Sequence, residues 1–160
     1  MNATCWLFPA LSVLMLSACS GHRPALDGPG APRLTPCVRT TNCVCSDDTG
    51  RASEIEPFVI QGNAELAWET LRSALTSATR TRITDETPRY LRAECRSFLF
   101  RFVDDLEFQL RPDEDGEGGL IAVRSSARVG ISDLGVNRRR VEGYRQILQR
   151  AGVVEPSSTP

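Results

Sequence analysis

An antiparallel α+β domain is predicted, with a sheet of about four strands and two helices on one face in the order α-β-β-β-β-α. Three observations predict it. A helical apolar stripe precedes a block of alternating segments, a second helical stripe follows that block, and an acidic Gly-rich stretch joins the two clearest strands as a hairpin.

Residues 63–78 carry Ala64, Ala67, Trp68, Leu71, Ala74, Leu75 and Ala78 at spacings of three and four, which places them on one stripe of a helix. Asn63 is the expected N-cap, and Glu65 in the first turn suits the helix dipole. The period then changes: the chain turns β-like around Ile83 and over residues 90–97, with a turn at Thr87-Pro88 between them. Residues 103–111 form the strongest strand, with Leu106, Phe108 and Leu110 on one face and Asp105, Glu107, Gln109 and Arg111 on the other. Residues 112–119 are the hairpin loop, and residues 120–127 return with Ile121 and Val123 inward. A second helix runs to about residue 151, with Val141, Tyr144, Leu148 and Ala151 inward and Gly152 as its stop. Trp68 and Tyr144 sit in apolar stripes and are read as core rather than as ligand-stacking rings.

With 160 residues, 41% of them hydrophobic and 24% charged, the chain has one core's worth of apolar material. All 19 basic residues are Arg; with no Lys there is no Schiff base, and a formal charge of −1 gives no general attraction to nucleic acid. His22 is the single His, so an imidazole-dependent hydrolase triad and a His-ligated metal are not expected.

Residues 1–18 read as a signal peptide, because the apolar run 6–16 is shorter than the roughly 20 residues of a membrane-spanning helix. The run ends in Leu16-Ser17-Ala18-Cys19, which resembles the lipobox of bacterial lipoproteins and implies lipidation of Cys19. Residues 19–36, with four Pro and three Gly after Cys19, form a tether; residues 37–152 form the single globular domain, and residues 153–160 a disordered tail. The expected address is the cell envelope, with the protein lipid-anchored and facing the periplasm. By resemblance to lipoprotein sorting signals, Ser20 points to the outer membrane.

Setting aside Cys5 and Cys19 leaves Cys37, Cys43, Cys45 and Cys95, an even number that suits two disulfides in an oxidising compartment. Cys37 with Cys43 and Cys45 with Cys95 is favoured, and the crossed pairing Cys37–Cys45 with Cys43–Cys95 stays open. A four-thiolate zinc site is disfavoured because paired C-x-x-C spacing is missing. The run Asp113-Glu114-Asp115-Gly116-Glu117-Gly118 imitates a calcium loop, but Arg124 stands where the bidentate Glu is required. No metal and no cofactor are expected.

Asn42-Cys43-Val44-Cys45-Ser46, Ala67-Trp68, Phe102-Val103-Asp104-Asp105-Leu106-Glu107-Phe108 and the long run from Arg124-Ser125-Ser126-Ala127-Arg128 to Arg138-Arg139-Arg140 together resemble a known family. It is the uncharacterised family catalogued as domain of unknown function 1499, found in bacteria and plant plastids. The resemblance spans about residues 37 to 148 and carries no reaction with it. In that family Cys45 stands where Ser is common and Cys95 where Cys is unusual, which adds support for pairing the two.

Asp104, Asp105 and Glu107 lie on one strand, and Arg124 and Arg128 lie on or just past its expected partner, so opposite charges face each other. If Asn137 caps the second helix, then Arg138, Arg139 and Arg140 occupy its first turn, where cations oppose the dipole and call for nearby negative charge. The anion is either internal or external. An internal network has Asp104, Asp105, Glu107 and Asp133 accepting from Arg124, Arg128, Arg138 and Arg140. An external anion, a phosphate or carboxylate of a small molecule or envelope component, would sit in a cup formed by Arg124, Ser125, Ser126, Arg128, Ser132, Asn137, Arg138 and Arg140. Both describe a binding or structural-interaction module. The alternative is a hydrolase using the carboxylates of the acidic strand, which is weakened because adjacent strand residues point to opposite faces.

Overall fold

Alternating patterns this regular fold as a sheet with one covered face, and the computed structural model, which describes residues 33–98 and 101–157, has that form. In chain order the elements are β1 (Cys43–Cys45), β2 (Phe58–Val59), α1 (Ala64–Ser77), β3 (Thr81–Thr87), β4 (Tyr90–Arg96), β5 (Val103–Pro112), β6 (Gly119–Ala127) and α2 (Val136–Arg150). The sheet is six-stranded, ordered β1-β6-β5-β4-β3, with β2 also paired to β6. All strand pairs are antiparallel.

The chain is therefore α+β with two helices, but the sheet has six strands where about four were predicted, and two of them precede α1. The extra strands have three and two residues, too short to display a period of their own. Both complete the free edge of β6, β1 against Arg124–Ser126 and β2 against Leu120–Ile121.

The helical stripe of α1 buries Ala64, Ala67, Trp68, Leu71 and Leu75, and Asn63 caps it by accepting from the Leu66 N–H at 2.9 Å. In α2, Val141, Tyr144 and Leu148 point inward, while Ala151 lies exposed at the C-cap. Both helices pack on one face of the sheet, over Leu91, Ala93, Leu106, Phe108, Ile121 and Val123. Each fully buried large side chain there contributes about 1.5–3 kcal/mol. Phe108 meets the Tyr144 ring edge-on, with centroids 6.0 Å apart.

Cys37 and Cys43 are joined, whereas Cys45 and Cys95 are buried free thiols. The expected Cys45–Cys95 bond is ruled out by the sheet: β1 and β4 are separated by β6 and β5, roughly 14 Å at the spacing of neighbouring strands. The two thiols also lie on opposite faces, Cys45 with Leu34, Cys37 and Tyr90, and Cys95 in the helix-side core. Four thiolates thus do not converge on one metal. Burial pushes the Cys45 thiol up to about 11 and raises that of Cys95 as well, so both are poor nucleophiles.

The domain limits also need correcting. Leu34 is buried and its N–H donates to Asp47, so ordered packing starts before residue 37. Residues 153–157 are not a loose tail: Val153 and Val154 are buried in the core, Val154 bridges Ile60, and Ser157 donates to Glu56. Apolar Val153-Val154 lies within reach of the β2 edge, and that burial outweighs the turn-rich composition after it. The expected signal peptide (residues 1–18), the expected lipidation site Cys19, the expected tether up to residue 32 and residues 158–160 lie outside the described residues.

Candidate functional site

Side chains alternate along a strand, so the charged residues of β5 and β6 divide between the two faces of the sheet. On the open face, β4 contributes Tyr90, Arg92 and Glu94, β5 Asp105, Glu107, Gln109 and Arg111, and β6 Arg124 and Ser126, with Arg128 just beyond. Glu107 lies opposite both Arg92 and Arg124, and Asp105 lies between Glu94 and Ser126.

The acids and bases bond both along the diagonals of this grid and straight across it. Arg92 donates to Asp105 Oδ1 at 2.8 Å, and Arg128 forks onto both Asp105 oxygens at 2.9 and 2.8 Å while also reaching Glu94 at 2.8 Å. Arg124 donates to Glu107 Oε1 at 2.7 Å, and the Tyr90 hydroxyl donates to Oε2 at 2.6 Å. Arg111 grips Asp47 at 2.8 and 2.7 Å and so ties the N-terminal segment to the sheet. Burial alone would raise the Asp105 carboxyl, but Arg128 and Arg92 outweigh it and hold it at about 2. Burial and the Glu107 carboxylate push the Tyr90 phenol upward. Two buried polar atoms, Arg124 Nε and Thr87 Oγ1, have no hydrogen-bond partner among the described residues, a state that costs about 1–3 kcal/mol for each.

A second polar cluster lies on the helix side, beneath the start of α2. Arg140 donates to Asp104 at 2.6 Å, to Asn137 Oδ1 at 2.6 Å and to Ser125 Oγ at 3.0 Å. Ser125 donates to the same Asn137 oxygen at 2.6 Å, and Asn137 Nδ2 donates to the Asn42 carbonyl at 3.0 Å. Asn137 is thus a buried member of the first turn and not the cap; Gly135, at φ +77°, occupies the N-cap position. The negative charge that the helix start requires is Asp133, whose oxygens accept from the Asn137 and Gly135 N–H groups at 2.7 and 3.0 Å.

The expected cup is therefore not one site. Arg124, Ser126 and Arg128 face the open side, whereas Ser125, Asn137 and Arg140 face the helices. Ser132 accepts from the Leu134 N–H in the connecting turn, and Arg138 donates to the carbonyls of Glu54 and Ala52. Within the expected network, Asp104 meets Arg140, Asp105 meets Arg128 and Glu107 meets Arg124, whereas Asp133 accepts from backbone and Arg138 donates to carbonyls. Sequence reasoning missed Tyr90, Arg92, Glu94 and Arg111. The alternation of Tyr90, Arg92 and Glu94 against Leu91, Ala93 and Cys95 was the signal that could have found the first three.

At the β1 end of the open face the charged layer borders a hollow of about 490 Å³, walled by the β1 lead-in and the loop after β6. The loop is fastened there by Thr41 donating to the Ile131 carbonyl and Asn42 to that of Gly130. The family model for protein of unknown function (DUF1499) matches residues 33–148, which takes in every strand and nearly all of α2. The chain belongs to the DUF1499 family. No curated protein matches it. In this DUF1499 domain the matched region includes both the charged open face and the cluster beneath α2.

Proposed function

We propose that this DUF1499 protein is a lipid-anchored cell-envelope protein whose domain is a binding and structural-interaction module rather than a hydrolase. The observation that carries the module reading is the pairing of Arg92, Arg124 and Arg128 with Asp105, Glu107 and Glu94 across three adjacent strands. A carboxyl held at about 2 stays ionised and cannot donate a proton as a general acid near neutrality. Asp104 and Asp105 occupy opposite faces and cannot share a metal ion. Such a layer is rigid and patterned in charge, which suits recognition more than turnover.

The envelope reading is supported by the apolar run 6–16, the Leu16-Ser17-Ala18-Cys19 motif and the Pro/Gly tether after it. The Cys37–Cys43 disulfide suits an oxidising compartment such as the periplasm. Ser20 favours the outer membrane. Intact-mass measurement of the mature protein tests the anchor: the expected N-terminus is Cys19 bearing acyl chains, and Cys19→Ser shifts the protein from the membrane to the soluble fraction. An unacylated N-terminus elsewhere overturns the anchor.

A further inference from the structure

The hollow at the β1 end of the open face combines features that the charged layer beside it does not. Its lining includes Arg39, Arg124 and Arg128 and no carboxylate. The acids that pair with Arg124 and Arg128, namely Glu107, Asp105 and Glu94, belong to β5 and β4, and none of them lines the hollow. Arg39 is exposed and meets no acid among the described residues. Arg124 also supplies the buried Nε–H that lacks an acceptor. Ser126 adds a hydroxyl to the lining. The rim is of another kind: Val38 and Ile131 line it with 89% and 76% of their surface exposed.

Planar guanidinium forks and a hydroxyl match the oxygens of a phosphate, and exposed aliphatic side chains at the mouth match a hydrocarbon portion attached to it. The walls are built in advance, since the Cys37–Cys43 bond holds the β1 lead-in and the Asn42 and Thr41 hydrogen bonds hold the loop. We infer that this hollow binds a phosphate-bearing amphiphile, its head on Arg39, Arg124, Arg128 and Ser126 and its apolar part against Val38 and Ile131. The inference deepens the module reading above and depends on the anchor only for the source of the ligand, which is either a phospholipid headgroup or a soluble alkyl phosphate.

Calorimetric titration of the full chain in nonionic detergent with hexyl phosphate tests it. Saturable 1:1 binding is expected, weaker by about tenfold or more for inorganic phosphate, which lacks the apolar part. Arg39→Ala should weaken hexyl phosphate by about tenfold or more without lowering the melting temperature, because that side chain holds nothing else in place. Arg72→Ala removes the same charge from the helix layer, where Arg72 pairs with Glu86, and should leave binding unchanged. In nonionic detergent micelles, weakening of hexyl phosphate by added phosphatidic acid but not by added diacylglycerol identifies the headgroup as the source; no change with either identifies a soluble ligand. Absence of saturable binding, equal binding by Arg39→Ala, or equal affinity for inorganic phosphate overturns the inference. An unlipidated chain that binds hexyl phosphate refutes the anchor alone, and an acylated chain that does not bind refutes the pocket alone.

Discussion

Asp105 takes hydrogen bonds from Arg92 on β4 and from Arg128 just past β6, and its acidity follows from that position. A carboxyl at about 2 in the folded chain, against an ordinary value near 3.8, stabilises the fold fully above about pH 4. That contribution is lost as pH falls from about 4 to about 2, because the unfolded chain takes up its proton first. Allowing for solvent screening at an open face, it amounts to about 1–2 kcal/mol. Urea titrations of wild type and Asp105→Asn should differ by at least that much at pH 7 and converge near pH 2; a constant gap across the range would refute the assignment. At this scale the sequence showed which residues carry charge and which strand face Asp105 and Glu107 share. It did not show that Ser125 and Ser126, adjacent in the chain, serve different clusters until the register of β6 was known, nor that Asn137 is turned inward to Ser125 and Arg140.

The start of α2 shows how an unfavourable run of residues is accommodated. Its first turn has no acidic residue and includes arginines, so the dipole is met from outside by Asp133. Asp133→Ala should lower stability by about 1–2 kcal/mol and speed amide exchange at Gly135 and Asn137 specifically. Unchanged exchange there would show that the turn is held by other means. Gly135 has a left-handed backbone, and a Cβ on it would lie 3.1 Å from Arg139 Nη1, so the cap position is closed to most side chains. Long elements with a sustained period were legible in the sequence: α1, α2 and the four strands from β3 to β6. The short strands β1 and β2 were not, because pairing with β6 rather than any pattern of their own defines them.

Across the whole molecule, the sheet separates two environments, an apolar side under the helices and a charged side held by ion pairs, with the cysteines divided between them. Peptide mapping without reductant should recover Cys37 joined to Cys43, and Cys45 and Cys95 should react with thiol reagents only after denaturation. Recovery of a Cys45–Cys95 peptide would require a different strand order. Loss of the bridge in Cys37→Ser should cost about 2 kcal/mol and loosen the β1 lead-in. The cysteine count suggested two bridges because parity carries no information about faces; three-dimensional strand order does. Val153 and Val154 close against Ile60 and the β2 edge, although a large part of the chain separates them. A nascent polypeptide therefore carries an open β2 edge until that stretch emerges, so the chain must be kept soluble until residues 153 and 154 have been made.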